Sequence, residues 1–416
     1  FSMTQPIPSY LMALAVGNIS FQSVGARTGV YAEPEVIEAA VYEFADMEKM
    51  LLATEKLYGP YQWDRYDLIV LPPSFPFGGM ENPRLTFATP TILAGDRSLT
   101  TLVAHELAHS WSGNYVTNAT WNDFWLNEGF TVYLETRIME ALYGKSYADM
   151  LALLGLQDLK HTVKEMGENH PDTKLKLDLA GRDPDEGLTE IAYEKGYFLL
   201  RLLEETYGRD AFDKFLRNYF QEFAFKPVTT EMFVAYFKTW QGLASNSTKA
   251  GMVDINKWIY EPGIPDNISE IKSIRFEFAE KIVQSWQKGN DISPVAERIK
   301  STHEWLHFLR HLPDTMTTEQ MTHLDKMFNF SNSGNSEILS EWFIYVIKNK
   351  YKPAYPQLEN FLITIGRRKF LKPLYGELAK TTEGKEMATR IYKIGRPNYH
   401  SVTTNTLDEI LGWKGQ

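Results

Sequence analysis

The run His105-Glu106-Leu107-Ala108-His109 leaves this chain little freedom. Two imidazoles at i and i+4 stand one turn apart on the same face of a helix, where both reach a single metal ion. The segment is therefore expected to be helical, with Leu99, Leu102, Val103, Leu107 and Trp111 as its apolar side and Ser112-Gly113-Asn114 as its stop. The chain contains no cysteine, so any further ligand must be a histidine or a carboxylate. Glu128, nineteen residues after His109 in Trp125-Leu126-Asn127-Glu128-Gly129, supplies one on a second predicted helix that can begin near Asn122 or Asp123. Helix, turn and packed helix would bring His105, His109 and Glu128 to one Zn2+, with a coordination position left for water or substrate.

Glu106 lies about 100° around the helix from His105, close to the metal without being a ligand. That is the position of a general base, and metal plus base points to hydrolysis of a peptide bond. Glu135, seven residues after Glu128 on the same helix face, is placed to accept the second ring N–H of a metal-bound histidine.

At 416 residues the chain is expected to divide into two or three domains. Hydrophobic residues make up 44% and aromatic residues 13%, which argues against disorder. A formal net charge of -10 argues against nucleic acid and anionic membrane as partners. Phe1-Ser2-Met3 shows neither a basic n-region nor a cleavage site, and a start on Phe suggests a fragment or processed product. No stretch approaches the ~20 apolar residues needed to cross a bilayer.

Residues 7 to 31 read as strands broken at Gly17, Gly25 and Gly29, and Glu33 to Leu57 as a helix. Asp67 to Leu71 reads as a buried strand ended by Pro72-Pro73, followed by an ordered loop, Ser74 to Pro90, with a strand at Leu85 to Ala88. From Ser98 to about Phe237 the pattern is mostly helical, with loops from Asn169 to Glu190. Strands first and helices after indicate an α+β lobe. Ser245-Asn246-Ser247-Thr248 and Pro262-Gly263-Ile264-Pro265 look like an interdomain connection. Beyond Ser269, amphipathic helices broken near Gly289, Pro313, Ser331 to Gly334 and Lys350 to Pro356 suggest stacked helix pairs in a superhelix.

Three segments together resemble the M1 aminopeptidases: Pro72-Pro73-Ser74-Phe75-Pro76-Phe77-Gly78-Gly79-Met80-Glu81-Asn82-Pro83, the His105 to Glu128 motif, and Tyr193-Glu194-Lys195-Gly196. Within that family the leukotriene A4 hydrolase branch and its microbial relatives are most similar. The resemblance implies a thermolysin-like catalytic domain over 19–260 and an all-α, armadillo-like domain over 261–416. Residues 1–18 are then the end of an N-terminal β domain. It implies that Gly78, Gly79, Met80 and Glu81 line the subsite for the substrate's free N-terminus, with Glu81 pairing with the α-ammonium group. Tyr193 matches the family tyrosine that hydrogen-bonds the oxyanion. Arg367 and Lys369 match a basic pair that receives the substrate carboxylate.

Asp185 matches an aspartate tied to water attack on an epoxide, while Leu188 and Phe77 stand where that branch has tyrosines. The implied activity is removal of the N-terminal residue from short peptides by a cytoplasmic monomer. The alternatives are a bifunctional epoxide hydrolase and aminopeptidase, a zinc endopeptidase, which Glu81 argues against, and a non-catalytic interaction protein.

Overall fold

The computed structural model describes residues 3–243 and 253–415. Ser245-Asn246-Ser247-Thr248, half of the expected connection, lies outside them. The first body is built on a mixed five-stranded sheet in the order β1-β2-β3-β5-β4. Its strands are β1 (Ser20–Ser23), β2 (Thr28–Ala32), β3 (Tyr66–Val70), β4 (Gly79–Met80) and β5 (Leu85–Ala88). β3 runs parallel to both β2 and β5 and is buried at every residue; Leu68, Ile69 and Val70 are apolar as a central strand requires, and Asp67 is buried against the Arg65 guanidinium at 2.9 Å. The two outer pairings, β1 with β2 and β4 with β5, are antiparallel.

Two expectations fail at the N-terminal end. Residues 7 to 17 form no strand; Ser9–Leu11 is a 3-10 turn, and Met12, Leu14 and Val16 point into solvent without ladder partners. The helix expected from Glu33 to Leu57 is two, α1 (Ile37–Glu43) and α2 (Met47–Tyr58). Glu43 turns inward at the break, and its carboxylate accepts the Gly95 and Arg97 backbone N–H groups. That contact anchors the loop leading to the next helix.

The helical half of this body contains α3 (Thr101–Ala108), α4 (Trp125–Tyr143), α5 (Lys145–Met166), α6 (Gly196–Tyr207), α7 (Arg209–Glu222), α8 (Thr230–Leu243) and α9 (Ile255–Tyr260). Two short strands that the sequence did not reveal, β6 (Val116–Asn118) and β7 (Lys226–Val228), pair in parallel and clip the turn after α3 to the segment before α8. α4 has no side-chain cap. Asp123 instead accepts the Thr230 N–H and hydroxyl, with the Lys176 ammonium at 2.6 Å, so it fastens α8. One continuous apolar core runs from Val30 in the sheet to Ile259.

A second core, from Ala279 to Leu411, belongs to helices alone. These are α10 (Ile274–Gln287), the single turn α11 (Ser293–Ala296), α12 (Thr302–Arg310), α13 (Thr318–Phe328), α14 (Ser336–Lys348), α15 (Tyr355–Thr364), α16 (Arg368–Leu378), α17 (Thr382–Gly395) and α18 (Ser401–Leu411). Capping boxes at Ser301/Glu304 and Thr317/Gln320 start α12 and α13. Alternate helices pack in rows, α10-α12-α14-α16-α18 in one and α15-α17 in another, which is the stacked arrangement expected. A small cluster of Met150, Leu154 and Phe276 joins α5 to α10.

Candidate active site

α3 puts His105 and His109 on one face, and the turn after it fixes the rings. Gly113 has φ 110°, and a Cβ there would sit 2.5 Å from Asn127 Oδ1 and 3.0 Å from His109 Nδ1. Only glycine lets that turn close on the imidazole. The Ser112 hydroxyl lies 3.1 and 2.9 Å from the Leu126 and Asn127 carbonyls, stapling the turn to the start of α4. Glu128 is thereby brought to the histidines.

Each histidine is oriented through Nδ1. His105 Nδ1–H donates to Glu135 Oε2 at 2.9 Å, and His109 Nδ1–H donates to the Ser112 carbonyl at 3.0 Å. Both Nε2 atoms then carry lone pairs. They lie 3.2 Å apart, and Glu128 Oε2 is 3.2 Å from one and 3.5 Å from the other. Glu128 Oε2 is buried with no hydrogen-bond partner of good geometry. Three acceptors converging without a donor repel one another unless a cation stands among them. A tetrahedral zinc with bonds of about 2.0–2.1 Å places its ligands about 3.3 Å apart, so the triad fits that ion.

The electrostatics agree. Burial alone would lower the His105 pKa, yet the carboxylates of Glu128 and Glu135 outweigh it and hold the group well above the ordinary histidine value. A field that holds a proton there holds a cation. Burial would raise Glu128, but His109, His105 and the Tyr193 hydroxyl keep it below the usual carboxylate range.

Glu106, 5% exposed, lies beside His109 and Glu81, with one ligand atom of each within 4.8 Å of the others. Burial raises its pKa well above that of a free carboxyl, and Glu81, Glu128 and Glu135 push the same way. Its Oε2 has no hydrogen-bond partner, as befits a group that must exchange a proton. β4 lies against it: a Cβ on Gly79 would be 2.1 Å from Glu106 Oε1. Glu81 follows immediately, buried, with its carbonyl accepting from Asn114 and its carboxylate from the Tyr10 hydroxyl at 3.1 Å.

Tyr193 stands on a π-helical turn, Ile191–Lys195, that leads into α6. Gly129 of α4 and Gly196 of α6 meet there, and a Cβ on either would be 2.7 Å from the other's Cα. This crossing lays the Tyr193 ring over His105 at 6.2 Å. Burial and the surrounding carboxylates hold its pKa well above 10, so the hydroxyl keeps its proton and can donate. Lys195, fully buried, anchors the turn by donating to the Thr173 and Glu261 carbonyls.

Arg367 comes from the helical body. Backbone bonds from Gly366 to Pro73 and from Arg368 to Pro76 pin its loop to the proline-rich segment. Its guanidinium reaches Thr91 and Glu337, and Gly78 leaves room for Nη2, 2.8 Å from where a Cβ would stand. Lys369 also binds Glu337, at 2.9 Å to each oxygen. Asp185 is exposed on the 3-10 turn Pro184–Gly187, next to Leu188.

Gly78, Gly79, Met80, Glu81, His105, Glu106, His109, Glu128, Asp185, Tyr193, Arg367 and Lys369 all line one cavity of about 940 Å³. Tyr10, Glu194, His303 and Glu337 line it too and escaped the sequence reading. Glu194 sits inside a motif already singled out; the other three carry no local signal, since their partners are distant in the chain.

Residues 42–258 match the peptidase family M1 domain, and residues 300–411 match the leukotriene A4 hydrolase C-terminal domain. Leukotriene A-4 hydrolase of Xenopus laevis is 40% identical over 97% of this chain and 67% of its own length. Aminopeptidase B of Rattus norvegicus is 37% identical over 100% of this chain and 66% of its own. The structure of yeast LTA4 hydrolase in complex with bestatin superposes with a TM-score of 0.90 at 32% identity, covering 98% of this chain and 69% of that one. The chain thus spans about two thirds of the length of these relatives.

Proposed function

The chain belongs to peptidase family M1, and on that footing we propose that it is a zinc aminopeptidase that removes the N-terminal residue from short peptides. The convergence of three buried acceptors, His105 Nε2, His109 Nε2 and Glu128 Oε2, carries this reading. Zinc held by them supplies Lewis acidity toward a carbonyl oxygen and makes water a better acid.

The protein's own groups do the rest. Glu106, its pKa raised by burial, takes a proton from water and returns it to the leaving amine. The Tyr193 hydroxyl, held protonated beside His105, donates to the oxyanion as it develops. Glu81 receives the α-ammonium group of the substrate, which would supply the buried carboxylate with a cation. Arg367 and Lys369 receive a peptide's C-terminal carboxylate by displacing or sharing Glu337. That favours short peptides, whose two ends fit one cavity. Asp185, on the rim, is the residue through which a second reading would act, opening a lipid epoxide in the same cavity.

The catalytic groups all come from one chain, so a monomer suffices. No helix among the described residues is long and apolar enough to cross a membrane, and the net charge of -10 disfavours nucleic acid. We place the protein in the cytoplasm by analogy with the family.

Fluorogenic aminoacyl substrates with free and N-acetylated amines test the reading. Cleavage of the free-amine substrate alone, lost on chelation and restored by zinc, is expected. Equal cleavage of the acetylated substrate would make the enzyme an endopeptidase. Zinc-loaded protein inactive on both would favour the epoxide or binding readings.

A further inference from the structure

Outside the active cavity, α10 and α12 bring together a second set of metal-ligating side chains. His307 and His311 are one turn apart on α12 and at its C-cap, the spacing that presents two imidazoles to one ion. Glu280 on α10 faces both through a single oxygen, Oε1, 2.9 Å from His307 Nε2 and 3.8 Å from His311 Nε2. One ligand atom from each of the three lies within 4.8 Å of the other two. None of the three residues lines the active cavity.

The rings are held as ligands are held. His311 Nδ1–H donates to the His307 carbonyl at 2.8 Å, which leaves its Nε2 lone pair outward. His307 is 1% exposed, and its ring stacks on Phe276 at 4.0 Å. Its Nδ1 meets the Gln157 side-chain amide of α5 at 3.0 Å. With the nitrogen forward, that amide leaves the ring proton on Nε2, shared with Glu280. Turned over, it accepts Nδ1–H and frees Nε2 for an ion, at the cost of a 3.3 Å contact from Arg310. Arg310 itself is engaged by Asp158 and Glu341. His311 is 38% exposed, so the position has access from solvent.

We propose that Glu280, His307 and His311 form a second divalent-metal site, of the borderline N2O kind that suits zinc, linking the first two long helices of the helical body. The donor set is too rich in nitrogen for magnesium or calcium. Binding moves the ring proton of His307 from Nε2 to Nδ1, where the Gln157 side-chain carbonyl accepts it, and ties α10 to α12 where both meet α5. The proposal is independent of the peptidase reading, because it shares no ligand with the catalytic triad.

Elemental analysis of the full chain tests it, after stripping with chelator, equilibration with zinc salt and removal of free metal. Wild type should hold two zinc ions, His311→Ala one, His109→Asn one, and the double variant none. Glu280→Gln, nearly isosteric, should behave as His311→Ala does, and both should melt like wild type in chelator. In His109→Asn, zinc should still raise the melting temperature. Zinc content equal to that of wild type in both His311→Ala and Glu280→Gln would overturn the site.

Discussion

Gly79 marks how tightly the reacting groups are fitted. A methyl group there would meet the Glu106 carboxylate at 2.1 Å, so Gly79→Ala must displace the base without touching a zinc ligand. A shift on the order of 1 Å can cost about 10²-fold, and kcat is expected to fall by that order while zinc content stays unchanged. Glu135→Gln should do the reverse. It weakens the acceptor for His105 Nδ1–H, so zinc affinity, measured by competition with a chelator, is expected to fall about 10–100-fold. An unaltered affinity would end that role.

His303 gives a pH signature. It is 5% exposed, and burial brings its pKa down to about 4. The unfolded chain therefore binds the extra proton between about pH 6.5 and 4 and the folded chain does not. Stability from this group is present above 6.5 and lost as pH falls toward 4, by roughly 3 kcal/mol at ~1.4 per pH unit. Urea unfolding at pH 7 and 5 should show a smaller difference in His303→Gln than in wild type. Such residues explain what the sequence could and could not reveal. The His105 to His109 spacing is legible because the helical repeat alone fixes it. The bond from Tyr10 to Glu81 joins residues 71 apart, and no local pattern announces it.

Among the elements, the crossing of α4 with α6 decides where Glu128 and Tyr193 meet. Gly196→Ala would push a Cβ to 2.7 Å from the Gly129 Cα, backbone that cannot step aside. About 1–3 kcal/mol of stability should be lost in denaturant titration, with a larger fall in activity because Tyr193 moves with the turn. Gly376, inside α16 with open space around it, is the contrast: Gly376→Ala should gain up to about 1 kcal/mol. The same distinction governs legibility. Long helices with a full apolar face, such as α5 and α14, follow from periodicity. The split between α1 and α2 does not, since it depends on Glu43 reaching a loop some fifty residues on. β6 and β7, three residues each, stand only because each completes the other's backbone hydrogen bonds.

At the scale of the whole molecule, two cores meet around one cavity, and the apolar side chains that remain outside both cores define the last prediction. Met12, Leu14 and Val16 are 79%, 86% and 88% exposed, and Ile19 and Phe21 follow at 37% and 47%. Single exposed apolar residues are ordinary, but a cluster of this kind invites association. Met12, Leu14 and Val16, exposed in close succession, make one apolar edge. Tyr10 and Leu11, just before them, are held by Glu81 and Asn82, which fixes that edge beside the active cavity without making it part of the chemistry. For a chain of these 416 residues the expected outcome is weak self-association through this edge. Sedimentation velocity should show a weight-average coefficient that rises with protein concentration, while activity per chain stays constant. Replacing Met12, Leu14 and Val16 together by serine should abolish the rise and leave kcat/KM unchanged, because none of the three lines the cavity. A coefficient independent of concentration in the unmodified chain would mean that this edge does not associate. A fall in kcat/KM in the triple variant would mean that the segment does more than carry Tyr10 to Glu81.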